Sequence, residues 1–216
     1  MKAVPLAKIL ARVARTLEER RVELDALDAA LGDGDHGTNI ARALGALERE
    51  ATALAALPLA DALARMGERL EAEMGGGGGA AYGAVLRGMA RAASPGAPSP
   101  AAIGAMLQAG IDSLRRSGGL DLGAKTLLDV LAPVADGLLG AAPDEGFEQL
   151  SGRLVAVAAH ALHHTRDLEA GWSPACARPD RGLEHIDPGA CSAALVLGAI
   201  LDALAEDPDG GRTTQG

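Results

Sequence analysis

The chain has 216 residues, a length that suits one domain or two small ones. Its 29 acidic residues outnumber its 20 basic ones, so the formal net charge is -9. That balance argues against a nucleic-acid-binding protein, whose footprint is a basic patch or stripe, although a nucleotide needs only local positive potential or bound cations. Hydrophobic residues make up 48% of the chain and charged residues 23%, which is ordinary for a globular protein with a packed core.

Aromatic residues are scarce, since the chain has one Tyr, one Trp and one Phe. The core must therefore consist of Leu, Ala, Val, Ile and Met, a composition that favours an all-α fold over a β-rich one. Two cysteines are too few for a disulfide framework or a four-cysteine zinc site. The sequence shows no signal peptide and no uncharged apolar run of about 18 residues. We therefore expect a cytoplasmic protein without a membrane span.

Apolar residues recur at helical spacing along most of the chain, which predicts eight helices joined mainly by short connections. Short connections make successive helices antiparallel neighbours, so the expected fold is a bundle. A single domain is expected over residues 1–206, and residues 207–216 are expected to form a disordered tail. In chain order, the predicted helices cover approximately 6–28, 38–55, 58–74, 80–92, 100–116, 124–139, 145–168 and 190–205.

Four connections depart from this pattern because they are long or rich in glycine and polar residues. They comprise residues 28–38, 75–79, 117–123 and 169–189. In an up-and-down bundle, the connections that follow the first, third, fifth and seventh helices lie at the same end. We therefore expect these segments to converge on one site.

The segment LDALDAALGDGDHGTN, residues 24–39, carries Asp28, Asp33 and Asp35 among glycines. Three carboxylates this close repel one another unless a cation neutralises them, and an oxygen-only ligand set suits Mg²⁺ or Ca²⁺ rather than zinc. An EF-hand loop does not fit, because its twelfth position counted from Asp33 is Leu44 instead of glutamate. Asp28, Asp33 and Asp35 are therefore predicted cation ligands, with solvated turn residues as the alternative.

Thr38 and Asn39 are expected to open the second helix, whose free N–H groups and positive dipole end favour an anion. Carboxylates beside a helix N-terminus indicate a site that holds both a cation and a phosphate. Asp25, by contrast, is interpreted as an ordinary residue on a helix face.

Two further segments are candidate ligand loops. The run GGGGGAAYG, residues 75–83, precedes a helix and would let backbone amides approach a phosphate, although a flexible hinge explains it equally well. It is not a P-loop, because no Gly-Lys-Ser/Thr follows. In HIDPGA, residues 185–190, Asp187 is a predicted helix N-cap and Pro188 suits the first turn. His185 either contacts a ligand or packs.

The remaining polar candidates carry weaker signals. In GAKTLLD, residues 123–129, Lys125 is expected to be a solvated first-turn residue, and Thr126 is a candidate hydrogen-bonding partner for a ligand. His160, His163 and His164 have helical spacing, but no glutamate completes a metal site, so solvated or packed side chains are expected. No nucleophile-elbow motif is present.

These segments occur in the same order in the nucleotide-binding L subunit of dihydroxyacetone kinase, which the chain resembles over about residues 5–205. The same domain ends the single-chain, ATP-dependent dihydroxyacetone kinases. GDGDHG and DPGA are specific in combination. The resemblance implies an eight-helix antiparallel barrel or bundle with the nucleotide site in the loops at one end.

The resemblance implies an ADP- or ATP-binding kinase subunit that uses two Mg²⁺ ions. Such a subunit passes the γ-phosphoryl group to dihydroxyacetone held on a separate K subunit, so activity is expected only with that partner. In one version, a multiphosphoryl protein of the phosphotransferase system phosphorylates the bound ADP to ATP. In the other, the bound nucleotide exchanges freely with ATP in solution. A homodimer is possible under either version, and no nucleic acid or membrane is implied as a partner.

The resemblance also assigns residues to roles, but no residue in this chain is identified as a catalytic base. The Mg²⁺ ligands that it implies are Asp28, Asp33 and Asp35. The nucleotide-binding residues that it implies are His36, Gly37, Thr38, Asn39, Gly77, Gly78, Gly118, Thr126, Asp187, Pro188 and Gly189. Gly77 and Gly78 are expected to contact the phosphates.

The chain departs from the family at two positions that bear on nucleotide affinity. Gly78 replaces a phosphate-facing serine, and Pro174 replaces an arginine that contacts nucleotide. Arg181 keeps a later arginine position, and Arg178 is a candidate substitute for the lost one. The alternatives are therefore a non-catalytic regulatory module and a kinase subunit for a related sugar. A fatty-acid kinase domain is a remoter alternative, because His36 and HIDPG favour the dihydroxyacetone branch.

Overall fold

The computed structural model describes residues 6–118 and 120–206, and within these ranges the fold is all-α. The tail expected at 207–216 lies outside the described residues. Two 3₁₀ turns, Thr165–Asp167 and Pro174–Ala177, interrupt the last long connection. The α-helices are α1 Leu6–Glu19, α2 Arg21–Leu31, α3 His36–Arg49, α4 Ala51–Ala55, α5 Leu59–Met74, α6 Gly76–Ala92, α7 Pro100–Gly118, α8 Leu128–Leu139, α9 Phe147–His164 and α10 Pro188–Ala205.

The first two predicted helices are each divided in two, so the described part of the chain has ten α-helices where eight were expected. Arg20 separates α1 from α2 with φ -98° and ψ 5°, and Glu50 separates α3 from α4 with φ -93° and ψ 1°. Both residues lie in the sparsely populated bridge region between helix and turn. The sequence carries no glycine or proline at either break, so periodicity alone did not detect them.

The glycine run at 75–79 was expected to be a loop, and this was wrong. Helix α6 begins at Gly76, so most of the run forms its first turn. Gly75 and Gly76 have φ of 65° and 56°, a left-handed conformation that favours glycine. These two residues turn the chain directly from α5 into α6.

Other helix boundaries shift by a few residues for local reasons. Helix α3 starts at His36, two residues before the predicted start. Helix α8 starts at Leu128, because the Asp129 carboxylate accepts the N–H groups of Gly123 at 2.6 Å and Thr126 at 2.8 Å and holds a turn ahead of it. Helix α10 begins at Pro188, and Asp187 is its N-cap as predicted.

Helices that follow one another pack side by side from α5 through α9. Helix α1 packs against α3 and α10, and α3 packs against α5, so the helix contacts close into a circuit. Two large hydrophobic clusters fill most of the interior, one mainly from α6 to α9 and the other mainly from α1 to α5, and α10 contributes to both. A third, small cluster consists of Leu31, Ala170 and Ala175. Close approach of α6 to α7 depends on Gly88, since a Cβ there would lie 2.6 Å from the Ala109 carbonyl oxygen.

Helix α10 lies between the two clusters. It is the one described helix long and apolar enough to cross a membrane by length and hydropathy. Because it packs against α1, α8 and α9, its composition is that of a core helix, and the hydropathy match is weak evidence for a span.

Candidate functional site

A cavity of about 560 Å³ lies where three of the four unusual connections meet and the fourth contributes Leu120. The segments that were expected to converge are therefore brought together. Of the predicted site residues, the cavity is lined by Asp28, Asp33, Asp35, His36, Asn39, Gly77, Gly78, Thr126, Asp187, Pro188 and Gly189. Gly37, Thr38 and Gly118 do not line it.

Asp28 organises the acidic loop, residues 28–36, at one wall of the cavity. Its Oδ2 atom accepts the backbone N–H groups of Gly34 at 2.9 Å, Asp35 at 3.0 Å and His36 at 3.3 Å. This local bonding draws the loop around one carboxylate. Asp28, Asp33 and Asp35 each offer a ligand oxygen, and these oxygens lie within 4.8 Å of one another. An all-oxygen set at this spacing fits a Mg²⁺-type cation.

Asp25 has a structural role that the sequence analysis missed. Its carboxylate accepts the Thr38 backbone N–H at 2.8 Å and the Thr38 hydroxyl at 2.7 Å, so it caps helix α3 from the neighbouring α2. Gly37 lies against α2, where a Cβ would stand 2.1 Å from the Arg21 carbonyl oxygen. Gly37 and Thr38 therefore face the α2–α3 contact, which explains why neither lines the cavity.

Gly118 ends α7 against Leu114 and Leu120, and it also lies away from the cavity lining. Thr126 does line the cavity, but it is buried and its hydroxyl accepts the Leu128 N–H at 3.2 Å. Its backbone N–H donates to Asp129. Thr126 is thus part of the turn that opens α8.

The start of α6, residues 76–78, forms a second wall of the cavity. The first N–H groups of a helix have no partner within the helix, so this wall presents donors and the positive end of the helix dipole. The Trp172 indole covers Gly77, where a Cβ would lie 1.8 Å from Cη2. A Cβ on Gly78 would lie 3.6 Å from His36 Nδ1, so the imidazole lies beside this turn.

His36 belongs to a partly buried hydrogen-bond network. Its Nε2 lies 2.9 Å from Ser192 Oγ, which lies 2.7 Å from the Tyr82 hydroxyl and 3.0 Å from the Gly189 carbonyl oxygen. Burial lowers the pKa of His36 from its usual value, and the Asp28 carboxylate partly opposes that shift. Burial also raises the pKa of the Tyr82 hydroxyl, which therefore stays protonated.

Asp187 is buried at the cavity floor. Its Oδ1 accepts the Ala190 N–H at 2.6 Å, and its own N–H donates to Thr165 Oγ1 at 3.1 Å. Burial raises the pKa of Asp187 to about 7, with Asp129 adding to the shift and the Ala190 N–H and Lys125 opposing it. The helix-capping role predicted for Asp187 is therefore present, and its second oxygen remains without a protein partner in the described structure.

Lys125 was expected to be solvated, and this was wrong. Its side chain is only 2% exposed, and Nζ donates to the carbonyl oxygens of Thr165, Leu168 and His185. Its φ of 59° is in the left-handed region. Burial lowers the pKa of Lys125, while the Asp187 carboxylate raises it. All three ammonium protons are used, so this lysine has no donor left for a ligand.

The lid segment, residues 165–187, returns over the cavity and is tied by Lys125. Arg178 donates to the Ala30 carbonyl oxygen at the end of α2, and Arg181 pairs with Glu169 at 2.9 Å. Neither guanidinium lines the cavity. Arg178 therefore lies outside the cavity that Pro174 lines.

Negative charge dominates the cavity. Four carboxylates line it, Asp28, Asp33, Asp35 and Asp187, against the single amine of Lys125, which is already bonded. Phosphate groups would meet repulsion here unless divalent cations neutralised the acidic loop. The chemistry of the wall thus fits a cation and a phosphate together rather than either alone.

The chain matches one protein family along most of its length. Residues 30–202 match the family model described as the DAK2 domain. The chain belongs to the DAK2-domain family. A protein of Listeria innocua named PEP-dependent dihydroxyacetone kinase 1, ADP-binding subunit DhaL, is 32% identical over 86% of this chain and 88% of its own length.

Larger relatives contain the DAK2 domain as one part. Human triokinase/FMN cyclase is 35% identical over 92% of this chain and 35% of its own length, and D-erythrulose kinase of Mycolicibacterium smegmatis is 32% identical over 92% and 36%. The crystal structure of C. freundii dihydroxyacetone kinase with AMP-PNP and Mg²⁺ superposes with a TM-score of 0.71 at 26% identity, covering 92% of this chain and 33% of that one. The DAK2 domain described here therefore spans about a third of these proteins.

Three residues that line the cavity of this DAK2 domain were missed or misassigned from sequence: Tyr82, Lys125 and Trp172. Ser192, which bonds His36 from outside the cavity lining, was also missed. Ser192 follows the HIDPGA motif at helical spacing, a signal that was present but unused. The positions of Lys125 and Trp172 depend on the lid segment, so no local pattern in the sequence could have given them.

Proposed function

We propose that this DAK2 domain binds ADP or ATP with Mg²⁺ and passes the γ-phosphoryl group to dihydroxyacetone held on a separate K-type subunit. One observation carries the proposal: a cluster of three carboxylates faces a helix N-terminus across one cavity. A phosphate chain needs cations on one side and hydrogen-bond donors on the other, and the two walls offer this pair of surfaces.

Each wall has a distinct task in this proposal. Asp28, Asp33 and Asp35 hold Mg²⁺, which when bound neutralises charge on the phosphate oxygens. The first turn of α6 donates backbone N–H groups to the phosphates. Trp172 covers that turn and excludes water from it. Positioning and charge neutralisation are the main needs of phosphoryl transfer, so the absence of an identified base in this chain does not oppose the proposal.

The partner assignment is supported by the Listeria innocua relative, which is matched over most of its length and is named as an ADP-binding subunit. We infer the same division of labour here, with the acceptor sugar on the K-type subunit. A multiphosphoryl phosphotransferase-system protein would then recharge the ADP in place, and a homodimer is compatible with this arrangement. Two bound Mg²⁺ ions are the number we propose.

A kinase subunit for a related sugar is the second candidate. The relatives named as triokinase and D-erythrulose kinase match this chain at 32% identity or more. Since the acceptor would lie on the partner, this domain's cavity would serve either sugar. Reconstitution with a K-type subunit, assayed with dihydroxyacetone and with erythrulose, separates the two candidates by their relative kcat/KM.

Calorimetry of ADP binding, with Mg²⁺ and then with EDTA, tests the nucleotide proposal. We expect binding that depends on Mg²⁺ and that Asp33→Asn and Asp35→Asn each weaken by at least about 30-fold, because each removes a charged cation ligand. Asp61→Asn is the matched control, since Asp61 is an exposed acid in the first turn of α5, outside the cavity. A folded, nucleotide-free wild-type protein that binds no ADP would instead support a non-catalytic module.

A further inference from the structure

Arg42 lies on α3 three residues after Asn39 and has no role in the site described so far. Its Nη2 atom donates to Asn39 Oδ1 at 3.0 Å, and its Nε atom donates to the Glu73 carbonyl oxygen at 3.1 Å. Nη2 also donates to that carbonyl oxygen. One exposed guanidinium outside the cavity lining therefore joins a cavity residue of α3 to the last turn of α5.

The bond from Arg42 decides which way the Asn39 amide is turned. A guanidinium only donates hydrogen bonds, so the atom of Asn39 that faces it must be the carbonyl oxygen and not the NH₂ group. The NH₂ group, Nδ2, has no protein partner in the described part of the chain. Because Asn39 lines the cavity, this amide offers N–H donors to a ligand there.

A neutral donor at this position suits a phosphate oxygen, which only accepts hydrogen bonds. The Asn39 amide can contact such an oxygen without competing for a cation held by the acidic loop. A reversed amide would present its own oxygen to the phosphate, and two acceptors repel each other. The orientation that Arg42 imposes is therefore the one that a phosphate requires.

The bonds to Glu73 connect Arg42 with the second wall of the cavity. The Glu73 carbonyl is one of the last four of α5, which lack a partner within the helix, and a cation is favourable at this negative end of the helix dipole. Gly75 and Gly76 follow directly and turn the chain into α6. Arg42 thus ties the helix that carries the Asn39 amide to the turn that precedes the α6 N–H groups.

We propose that Arg42 is a positioning residue that turns the Asn39 amide so that Nδ2–H donates to a phosphate oxygen of the bound nucleotide. The inference rests on the proposed function, because it needs a phosphate-bearing ligand. It gives Arg42, which does not line the cavity, an effect on nucleotide affinity that acts through Asn39.

A double-mutant cycle measured by calorimetry with Mg·ADP tests the route of this effect. Asn39→Ala should weaken binding about 10-fold, the effect of one lost hydrogen bond to a charged group, and Arg42→Met about fivefold. If Arg42 acts through Asn39, Arg42→Met should cause no further loss in the Asn39→Ala background. Direct attraction between the guanidinium and the phosphates would persist in that background.

Two further variants complete the cycle. Arg49→Met is the matched control, because Arg49 is an exposed arginine in the last turn of the same helix, outside the cavity, and its removal should leave affinity unchanged. Should Arg42→Met fail to fold, Arg42→Gln carries the same cycle, since it keeps one donor nitrogen for the Glu73 carbonyl and loses the guanidinium fork.

NMR of the side-chain amide reports the orientation directly, because Asn39 is the only asparagine of the chain. Labelling with ¹⁵N-asparagine therefore gives a single pair of side-chain amide protons. In the wild type we expect Mg·ADP to shift one of these protons downfield and to slow its exchange with water. Arg42→Met should reduce both changes, whereas Arg49→Met should leave them as in the wild type.

Two results would overturn the inference. One is an equal loss of affinity from Arg42→Met with and without Asn39. The other is an Asn39 amide whose proton signals do not change when the wild type binds Mg·ADP. If the wild type binds no Mg·ADP, the proposed function fails separately. The ligand-free spectra then decide the pairing, since amide signals that Arg42→Met leaves unchanged would refute it and altered signals would support it.

Discussion

Two walls of the cavity are organised by opposite charges. In the acidic loop, the Asp28 carboxylate accepts three backbone N–H groups, and in the lid segment, the Lys125 ammonium donates to three backbone carbonyls. The partners of Asp28 are 6 to 8 residues away in sequence, whereas those of Lys125 are 40 to 60 residues away. The first arrangement is local, and the second depends on the tertiary fold.

The difference extends to what each charge can still do. Asp28 uses one oxygen for the loop and remains partly exposed at the cavity, so its second oxygen is available to a cation. Lys125 is buried and has no proton left. A charged residue that lines a ligand cavity is therefore not evidence of a ligand contact until its existing bonds have been counted.

Removing the Lys125 ammonium should have the largest effect on stability. Lys125→Met leaves the carbonyl oxygens of Thr165, Leu168 and His185 without their shared donor, so we expect the free energy of unfolding to fall by about 3 kcal/mol. Chemical denaturation measures it. Arg116→Met, which removes an exposed cation at the end of α7, should change stability by less than about 0.5 kcal/mol. Equal stability of Lys125→Met and the wild type would show that these three hydrogen bonds do not stabilise the fold.

Asp28→Asn should mainly affect the ligand. An amide oxygen can still accept N–H groups from the loop, so stability should fall by only about 1 kcal/mol. The loss of charge should weaken Mg·ADP binding about 100-fold, which corresponds to about 2.7 kcal/mol. Denaturation and calorimetry of the same variant separate the two effects. Wild-type affinity would remove Asp28 from the proposed cation ligands.

Asp25→Ala should mainly affect stability, whereas Asp28→Asn should mainly affect ligand affinity. Its carboxylate caps α3 through the Thr38 N–H and lies outside the cavity lining, so we expect a loss of about 1 kcal/mol in stability. Affinity for Mg·ADP should change by less than about twofold. Thr38→Val removes the hydroxyl that donates to Asp25 and should cause a smaller loss of stability. A nucleotide defect as large as that of Asp28→Asn would contradict the division of roles between the two acids.

The smallest effect concerns pH. Because burial raises the pKa of Asp187 to about 7, the folded state holds a proton that the unfolded state loses near its ordinary value of 3.8. The contribution of this carboxyl to stability is therefore fully present below about pH 4 and declines until about pH 7. We expect the stability difference between wild type and Asp187→Asn to shift by about 1 kcal/mol between pH 6 and pH 7. A constant difference would argue that Asp187 ionises normally.

Sequence patterns were most successful where the physics is local. The N-cap at Asp187 and the clustering of Asp28, Asp33 and Asp35 both depend on neighbours within a few residues. The start of α6 was wrong because glycines disfavour a helix intrinsically, yet packing between α5 and α6 overrides that preference. Asp25 was missed because its cap is supplied from a neighbouring helix.

By itself, the sequence determined the all-α class, most of the helices, the gathering of the unusual connections at one end and the acidic cluster, because composition, periodicity and chain reversal act over short distances. Only the tertiary structure decided which polar groups are hydrogen-bonded within the protein and which remain available to a ligand. Lys125, Trp172 and the Ser192–His36 pair acquire their environments from segments 40 to 156 residues away, and burial there changes what their donors and acceptors can do.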